Sequence, residues 1–281
     1  MVNTKPDNSE HGSARGHSSG LSGITGTTAF PIDRADLVVG LGRGLAVIEA
    51  FDDEHARMTC AEVALRTDLS RSAVKRHLLS LCHYGYAETD GKHFWLAPRV
   101  LRLGQGYLEG ARLPRLVQPF IQRLSMQSGE TVNVSVLDGH EVVYVARSNS
   151  PRVLSIGFHV GARVPAHVVA PGMVLLATLP EEALQHWVAE HEFAGFTANT
   201  VVQAEAFAAQ VRAARQMNHW VTQGQLHVGM MGVATVLKDR HGQCKGAIGM
   251  TLQSADWSPE RIDGQLLPQL HETARTLRSL L

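Results

Sequence analysis

The chain has 281 residues, 44% of them hydrophobic, enough apolar material for one large core or two ordinary ones; a peptide hormone or a wholly disordered tail is excluded. Its 26 Lys and Arg balance 26 Asp and Glu, which argues against a uniformly basic nucleic-acid coat and against a polybasic membrane binder. Three cysteines, Cys60, Cys82 and Cys244, are too few and too scattered for a disulfide framework, which favours a reducing, cytoplasmic setting.

Residues 1–36 are dominated by Gly, Ser, Thr and Asn, the composition of a disordered arm. From residue 38 the texture changes: Leu41, Leu45, Ile48 and Phe51 recur at helical spacing and predict a first helix ending near Asp52-Asp53-Glu54. Thr59 and Glu62 stand in a capping-box relation and open a short helix carrying Val63 and Leu65. After a brief turn at 67–69, Ser70 is a good N-cap for a helix through His83. Val74, Leu78, Leu81 and Cys82 share one face of that helix, and Gly85 is its stop signal. Residues 86–96 read as a hairpin turning at Asp90-Gly91. Helix, helix, short turn, helix, hairpin is the order of a winged helix-turn-helix domain, here over 37–97.

Pro98 suits the first turn of a connecting helix over 98–110. Beyond it, helices are expected at 115–127, 167–179, 181–191 and 204–217. Strands are expected at 131–137, 141–146, 153–156, near Trp220, at 233–237 and at 246–252. A final helix puts Ile262, Leu266, Leu270, Leu277 and Leu281 on one face. Antiparallel hairpins with helices segregated around them make 111–281 an α+β domain. The uncharged stretches 164–180 and 216–237 are interrupted by proline or too polar to span a membrane, and the N-terminus lacks the apolar core of a signal peptide.

The neutral total hides an uneven distribution. Residues 37–68 carry three basic and six acidic side chains, whereas 69–102 carry six basic and two acidic ones. The third helix and the wing are therefore the basic part. With Val74, Leu78 and Leu81 turned inward, Ser72, Arg76 and His83 project outward and Lys75 flanks them. Ser70 and Arg71 sit beside the free N–H groups of the first turn, where a phosphate binds well. Arg76 has the fork geometry to read a guanine edge in the major groove, worth about 1–3 kcal/mol of discrimination. Lys92 and His93, at the wing tip, suit phosphates or a minor groove. Double-stranded operator DNA is the expected partner.

Catalytic readings find little support. The fifteen histidines include no HxH, HExxH or Cys/His cluster with ligand spacing, and they read by default as solvated surface residues. There is no G-x-S-x-G, and Leu41-Gly-Arg-Gly-Leu lacks the preceding strand of a dinucleotide site. No catalytic residue, metal or cofactor is expected.

Several separate motifs carry a family resemblance. Thr59-Cys-Ala-Glu-Val-Ala, Leu69-Ser-Arg-Ser-Ala-Val-Lys-Arg-His-Leu-Leu-Ser-Leu, Tyr84-Gly-Tyr-Ala-Glu-Thr-Asp-Gly and Leu96-Ala-Pro-Arg-Val-Leu-Arg-Leu-Gly resemble the DNA-binding domain of IclR-family transcriptional regulators. Within that family they resemble the branch controlling protocatechuate, 4-hydroxybenzoate and related aromatic-acid catabolism. Asp138-Gly-His-Glu-Val-Val-Tyr-Val-Ala-Arg, Gly161-Ala-Arg-Val-Pro-Ala-His and Gly172-Met-Val-Leu-Leu-Ala are similar to the family's effector-binding domain. The resemblance spans residues 39–281. It implies a GAF-like effector domain, homodimers or homotetramers, and a catabolic operon that is activated or repressed in response to a small molecule, expected to be an aromatic carboxylate. It also implies an effector pocket formed by Ile156, Val164, Ala170, Pro171, Thr222, Met230, Gly232, Gly249 and Thr251. The segment 222–232 departs from the family's usual acidic residues and Arg, and Val236 replaces an expected proline. Arg147, Arg163 and His167 lie close enough in sequence to offer a cation, and Met230 and Met231 read equally well as core. The alternative is a small-molecule-binding or hydrolytic α+β protein whose N-terminal helices mediate protein contacts.

Overall fold

The computed structural model describes residues 32–33, 35–149 and 158–281. Most of the expected N-terminal arm, the expected strand at 153–156 and Ile156 itself lie outside the described residues. The chain divides into two units, Met1–Arg102 and Leu103–Leu281.

In the first unit, α1 (Val39–Glu49), α2 (Cys60–Thr67) and α3 (Arg71–His83) pack on a three-stranded sheet. Local chemistry sets the ends of these helices. Thr59 and Glu62 make the full capping box: the Glu62 carboxylate accepts the Thr59 backbone N–H at 2.7 Å, and Thr59 Oγ1 accepts the Glu62 N–H. Asp68 ends α2 at φ 51°, and Ser70 Oγ accepts the Ala73 N–H to open α3. Gly85, at φ 75°, closes α3, with the Tyr86 N–H bonded back to Leu81 O. The core is Val47, Ala50, Met58, Val63, Val74, Leu78 and Phe94.

Three expectations change here. Leu41 and Leu45 are exposed, and α1 buries Val47 instead. Leu65 is 86% exposed, because two positions along a helix turn a side chain to the far side from Val63. The wing gains a strand, β1 (Met58–Thr59), which pairs with β3 (His93–Leu96), while β3 also pairs with β2 (Ala87–Thr89). Thr89 faces Phe94, so the reversal runs through Asp90, Gly91 and Lys92 rather than pivoting on the Asp90-Gly91 pair. The Asp90 carboxylate drives this shift by accepting the backbone N–H groups of Lys92 and His93 at 2.9 and 2.7 Å.

A 3₁₀ turn, Pro98–Val100, leads into α4 (Leu101–Gly110). In the second unit α5 (Arg112–Ser128) starts three residues earlier than expected. Pro114 falls in its first turn, where a missing N–H costs nothing. The sheet is antiparallel, in the order β6-β5-β4-β9-β8-β7. Its strands are β4 (Thr131–Asp138), β5 (Glu141–Ser148), β6 (Arg163–Pro165), β7 (His219–Gln223), β8 (Met230–Lys238) and β9 (Cys244–Gln253). β6 was not expected, being only three residues long. One face packs on α5 and on the last helical segment, in which α9 (Pro259–Arg261) and a π turn (Ile262–Leu266) lead into α10 (Leu267–Leu277). The other face packs on α6 (Ala170–Leu176), α7 (Glu181–Glu190) and α8 (Ala204–Met217).

Strand alternation then sets the two faces apart. On β8 and β9, Met231, Val233, Ile248 and Met250 fill the α5 face, whereas Gly232, Ala234, Ala247 and Gly249 lie on the α6 face. These small residues let α6 approach closely. The expected helix over 167–179 is shorter for a related reason. Pro171 has no N–H to give the carbonyl of His167 and its ring would clash with that carbonyl, so no helix runs from 167 through 171; Val169 is extended and α6 begins at Ala170. A Cβ on Gly172 would collide with the Ala166 carbonyl oxygen, so α6 is locked against the 3₁₀ turn Ala166–Val168.

Candidate nucleic-acid interface and ligand cavity

On α3, Val74 and Leu78 are fully buried, and Ser70, Arg71, Ser72, Lys75 and Arg76 are exposed on the outer surface. Among the described residues no carboxylate lies within ion-pair distance of Arg71, Lys75, Arg76 or the exposed Lys92, so these cations are open to an external anion. His93 is different: half-buried, with Nδ1 3.3 Å from Asp90 Oδ2, it belongs to the scaffold of the wing. Its backbone N–H and that of Lys92 hold the Asp90 carboxyl far below the usual carboxylate range.

Arg57 escaped the sequence reading because it sits in the acidic stretch. It bonds Asp90 at 3.1 Å and lays its guanidinium over the Trp95 ring at 4.2 Å, which brings a further cation to the wing. Burial, helped by Arg43 and Arg76, lowers the proton affinity of His77, whose Nδ1 would lie 3.7 Å from a Cβ on Gly44 of α1. His77 therefore serves helix packing.

The second unit contains a cavity of about 430 Å³, counting its open mouth. Its floor follows from strand register. Thr222 pairs with Gly232, Gly232 with Thr251, and Asn133 with Gly249, so residues from β7, β8, β9 and β4 form a small patch on the α6 face. Gly232 keeps the floor open: a Cβ there would meet Thr222 Oγ1 at 3.0 Å and the Ala170 Cβ at 3.5 Å. Val168, Val169, Ala170 and Pro171 form one wall. Tyr144 and Phe158, stacked with centroids 4.8 Å apart, add an aromatic surface, and Gln225, Leu226, His227 and Met230 close the other side.

The cavity has one strongly polar region. Asn133 is 2% exposed, Thr222 5% and Thr251 9%. Asn133 Nδ2 donates to Thr251 Oγ1 at 3.2 Å, while Asn133 Oδ1 has no hydrogen-bond partner among the described residues. A buried carbonyl oxygen without a partner is costly, and a donor brought in by a ligand relieves that cost. Apolar walls with a few placed polar groups are what a small-molecule site requires.

Seven of the nine positions carried over by resemblance line this cavity: Ala170, Pro171, Thr222, Met230, Gly232, Gly249 and Thr251. Ile156 lies outside the described residues. Val164 lies elsewhere: on the edge strand β6 it pairs with Val142 and packs into the core, away from β8 and β9. Of the nearby cations, Arg163 is held by Glu141 at 2.7 Å and Asp138 at 2.8 Å, and it does not line the cavity. The sequence reading missed Asn133, Tyr144, Phe158 and the 225–227 wall. One signal was present: in Val132-Asn133-Val134-Ser135-Val136 the polar residues alternate with valine, placing Asn133 on a single buried face.

The histidines also need correction. His167 is fully buried and His140 and His191 half-buried, so these three are not solvated surface residues. Among the described residues no group of three or more His, Cys, Asp or Glu has the arrangement of a metal site, and no helix is long and apolar enough to cross a membrane.

Comparison with known proteins agrees with this architecture. Residues 40–91 match the IclR helix-turn-helix domain, and residues 105–279 match the bacterial transcriptional regulator IclR C-terminal family. The p-hydroxybenzoate hydroxylase transcriptional activator of Acinetobacter baylyi is 36% identical over 251 residues, covering 88% of this chain and 93% of its own. A crystal structure of a regulator from Rhodococcus sp. RHA1 superposes with a TM-score of 0.72 at 35% identity, covering 86% of this chain and 97% of its own. The inducer-binding domain of the Acinetobacter transcription factor PobR, crystallised as a double mutant with 3-hydroxybenzoic acid, superposes with a TM-score of 0.58 at 32% identity, over 61% of this chain and all of that domain. With both of its units matched and relatives above 30% identity along most of its length, this chain belongs to the IclR family: it is a DNA-binding transcriptional regulator, not an enzyme.

Proposed function

We propose that this regulator controls a catabolic operon in response to an aromatic hydroxy acid bound in the second unit's cavity. One observation carries the reading: an aromatic and apolar enclosure closes over a polar patch whose Asn133 Oδ1 lacks a donor among the described residues. A hydroxybenzoate supplies what is missing. Its ring packs between the Tyr144–Phe158 pair and Met230, its hydroxyl donates to Asn133, and its carboxylate takes hydrogen bonds from Thr222 and neighbouring donors. The relatives named for p-hydroxybenzoate and bound to 3-hydroxybenzoic acid support this ligand class.

In this reading α3 enters the major groove of double-stranded operator DNA. Ser70, Arg71, Ser72 and Lys75 meet phosphates, Arg76 reads a base edge, and Lys92 follows the backbone at a wing whose turn His93 helps to hold. The protein works as a homodimer or homotetramer in the cytoplasm. Support for self-association comes from the apolar side chains left exposed on α1 and α4, namely Leu41 at 63%, Leu101 at 71% and Tyr107 at 52%. Ligand binding shifts the population toward one arrangement of the two DNA-reading units, through the 98–110 helix.

The test is thermal-shift and calorimetric screening of the full chain with 3-hydroxybenzoate, 4-hydroxybenzoate, protocatechuate and cyclohexanecarboxylate. At least one hydroxybenzoate should raise Tm, the saturated acid should not, and Asn133→Leu should weaken binding by about tenfold, the worth of one buried hydrogen bond. If no aromatic acid binds while sequence-specific DNA binding is intact, the ligand class is wrong.

A further inference from the structure

His140 lies in the β4–β5 turn, His167 precedes α6 and His191 follows α7, yet the three meet in one row against Trp187 and Phe193. The partners in this row fix every proton. Ala194 O can only accept, so His167 Nε2, 2.9 Å away, carries hydrogen. A neutral His167 then has Nδ1 as acceptor, and His191 Nε2 donates to it at 2.8 Å. That leaves His191 Nδ1 as acceptor for the Nδ1–H of His140 at 3.1 Å. Burial supports neutrality along the row, lowering the proton affinity of all three and bringing His191 down to about 3.

The far end of the row is tied to the ligand cavity. Beyond Ala194, Thr197 Oγ1 donates to Gly224 O and Thr200 Oγ1 to Gln225 O, each at 2.6 Å. Thr200 Oγ1 also accepts the N–H groups of Phe196 and Thr197, so this loop is a rigid staple on the wall that begins at Gln225. His167 itself directly precedes Val168, the start of the opposite wall. One imidazole thus joins the two sides of the cavity from behind.

We propose that His140, His191 and His167 are positioning residues for the effector: a one-directional row of neutral imidazoles that holds the cavity walls at their binding distance. The proposal rests on reading the cavity as the effector site. Only His140 Nε2 can take a proton without turning two N–H groups toward each other, so a proton entering deeper breaks the row. Glu190 and His186 of α7 act on His140 in opposite directions, and Asp138 and Glu141 beside it are held by Arg163. Glu205 and Arg212 of α8 share an open cleft with His191, and Arg212 is held by Glu181.

The experiment uses the full-length protein with 4-hydroxybenzoate as probe. Imidazole ¹H–¹⁵N spectra of the unmutated protein at about pH 7.5 should show Nδ1–H at His140 and Nε2–H at both His191 and His167. In His167→Phe, amide exchange should accelerate at Gly224, whose N–H bonds Met230 O at 2.8 Å, and affinity should fall about tenfold. His167→Gln, which keeps one donor and one acceptor, should restore most of both. A different tautomer at His167 or His191, or unchanged exchange at Gly224 in His167→Phe, overturns the proposal, and the spectra test it even if that variant does not fold. If the tautomers and exchange are as stated but no hydroxybenzoate binds the unmutated protein, the wall-holding row stands and the effector reading falls.

Discussion

The outer face of α3 and the floor of the cavity use polar side chains in opposite ways. On α3, Arg71, Lys75 and Arg76 stand in water with no protein partner among the described residues. Water solvates them, so nothing in the fold has to compensate for them, and they remain available to a polyanion. In the cavity, Asn133, Thr222 and Thr251 are at most 9% exposed, and each polar atom needs a partner. The surface can therefore leave its charges unpaired at no cost, whereas the cavity lining holds two buried oxygens, Asn133 Oδ1 and Gln225 Oε1, that have no partner among the described residues and that a ligand can satisfy.

The largest expected effect breaks this comparison on the interior side. Gly232→Val puts methyl groups where the ligand sits, because its Cβ already touches Thr222 and Ala170. Binding of 4-hydroxybenzoate, measured by calorimetry, should fall by about 100-fold or more, with DNA affinity of the ligand-free protein unchanged. Undiminished ligand affinity in this variant would place the effector elsewhere. Next comes Arg76→Ala, which should lower the preference for a specific operator over random DNA by about 10–100-fold in gel-shift titrations.

Smaller effects sharpen the contrast. Lys92→Ala should weaken binding to all DNA sequences alike, a few-fold, and reduce the salt slope by about one. If the loss depends on sequence, Lys92 reads bases and the wing's role changes. The smallest effect is on stability. The buried row His140, His167 and His191 stays neutral in the folded state, whereas the unfolded chain protonates histidine near 6.5. These depressed groups therefore contribute stability that is complete above about pH 6.5 and is lost as pH falls toward the folded values. Thermal unfolding of residues 103–281 should show a Tm that declines below that pH, more shallowly in His191→Phe. An equal decline in both would remove His191 from the linkage.

Much of the first unit was legible residue by residue. The Thr59–Glu62 capping box, the Ser70 N-cap and the stop at Gly85 are local chemistry, and each appears in the structure where the sequence places it. The misses share a physical cause. Leu41 and Leu45 are apolar at helical spacing, but periodicity identifies a stripe without naming what covers it. β1 and β6, with two and three residues, are too short to show alternation. The apolar content of 167–179 suggests a longer helix than α6, because hydrophobicity alone does not register the restriction imposed by Pro171.

The sequence by itself determined the helix ends, the basic outer face of α3 and the small residues Gly232, Ala234, Ala247 and Gly249 that leave room above the sheet. These depend on neighbours a few positions away, or on composition. Tertiary structure decided which strands became adjacent. It brought Asn133 to Thr251 across 118 residues of chain, and it gathered three histidines from separate segments into one row. A strand's two-residue period tells which face a side chain occupies, but only long-range pairing tells who its neighbours are. A binding site is a set of neighbours, so the DNA-facing helix could be read from its own residues and the cavity could not.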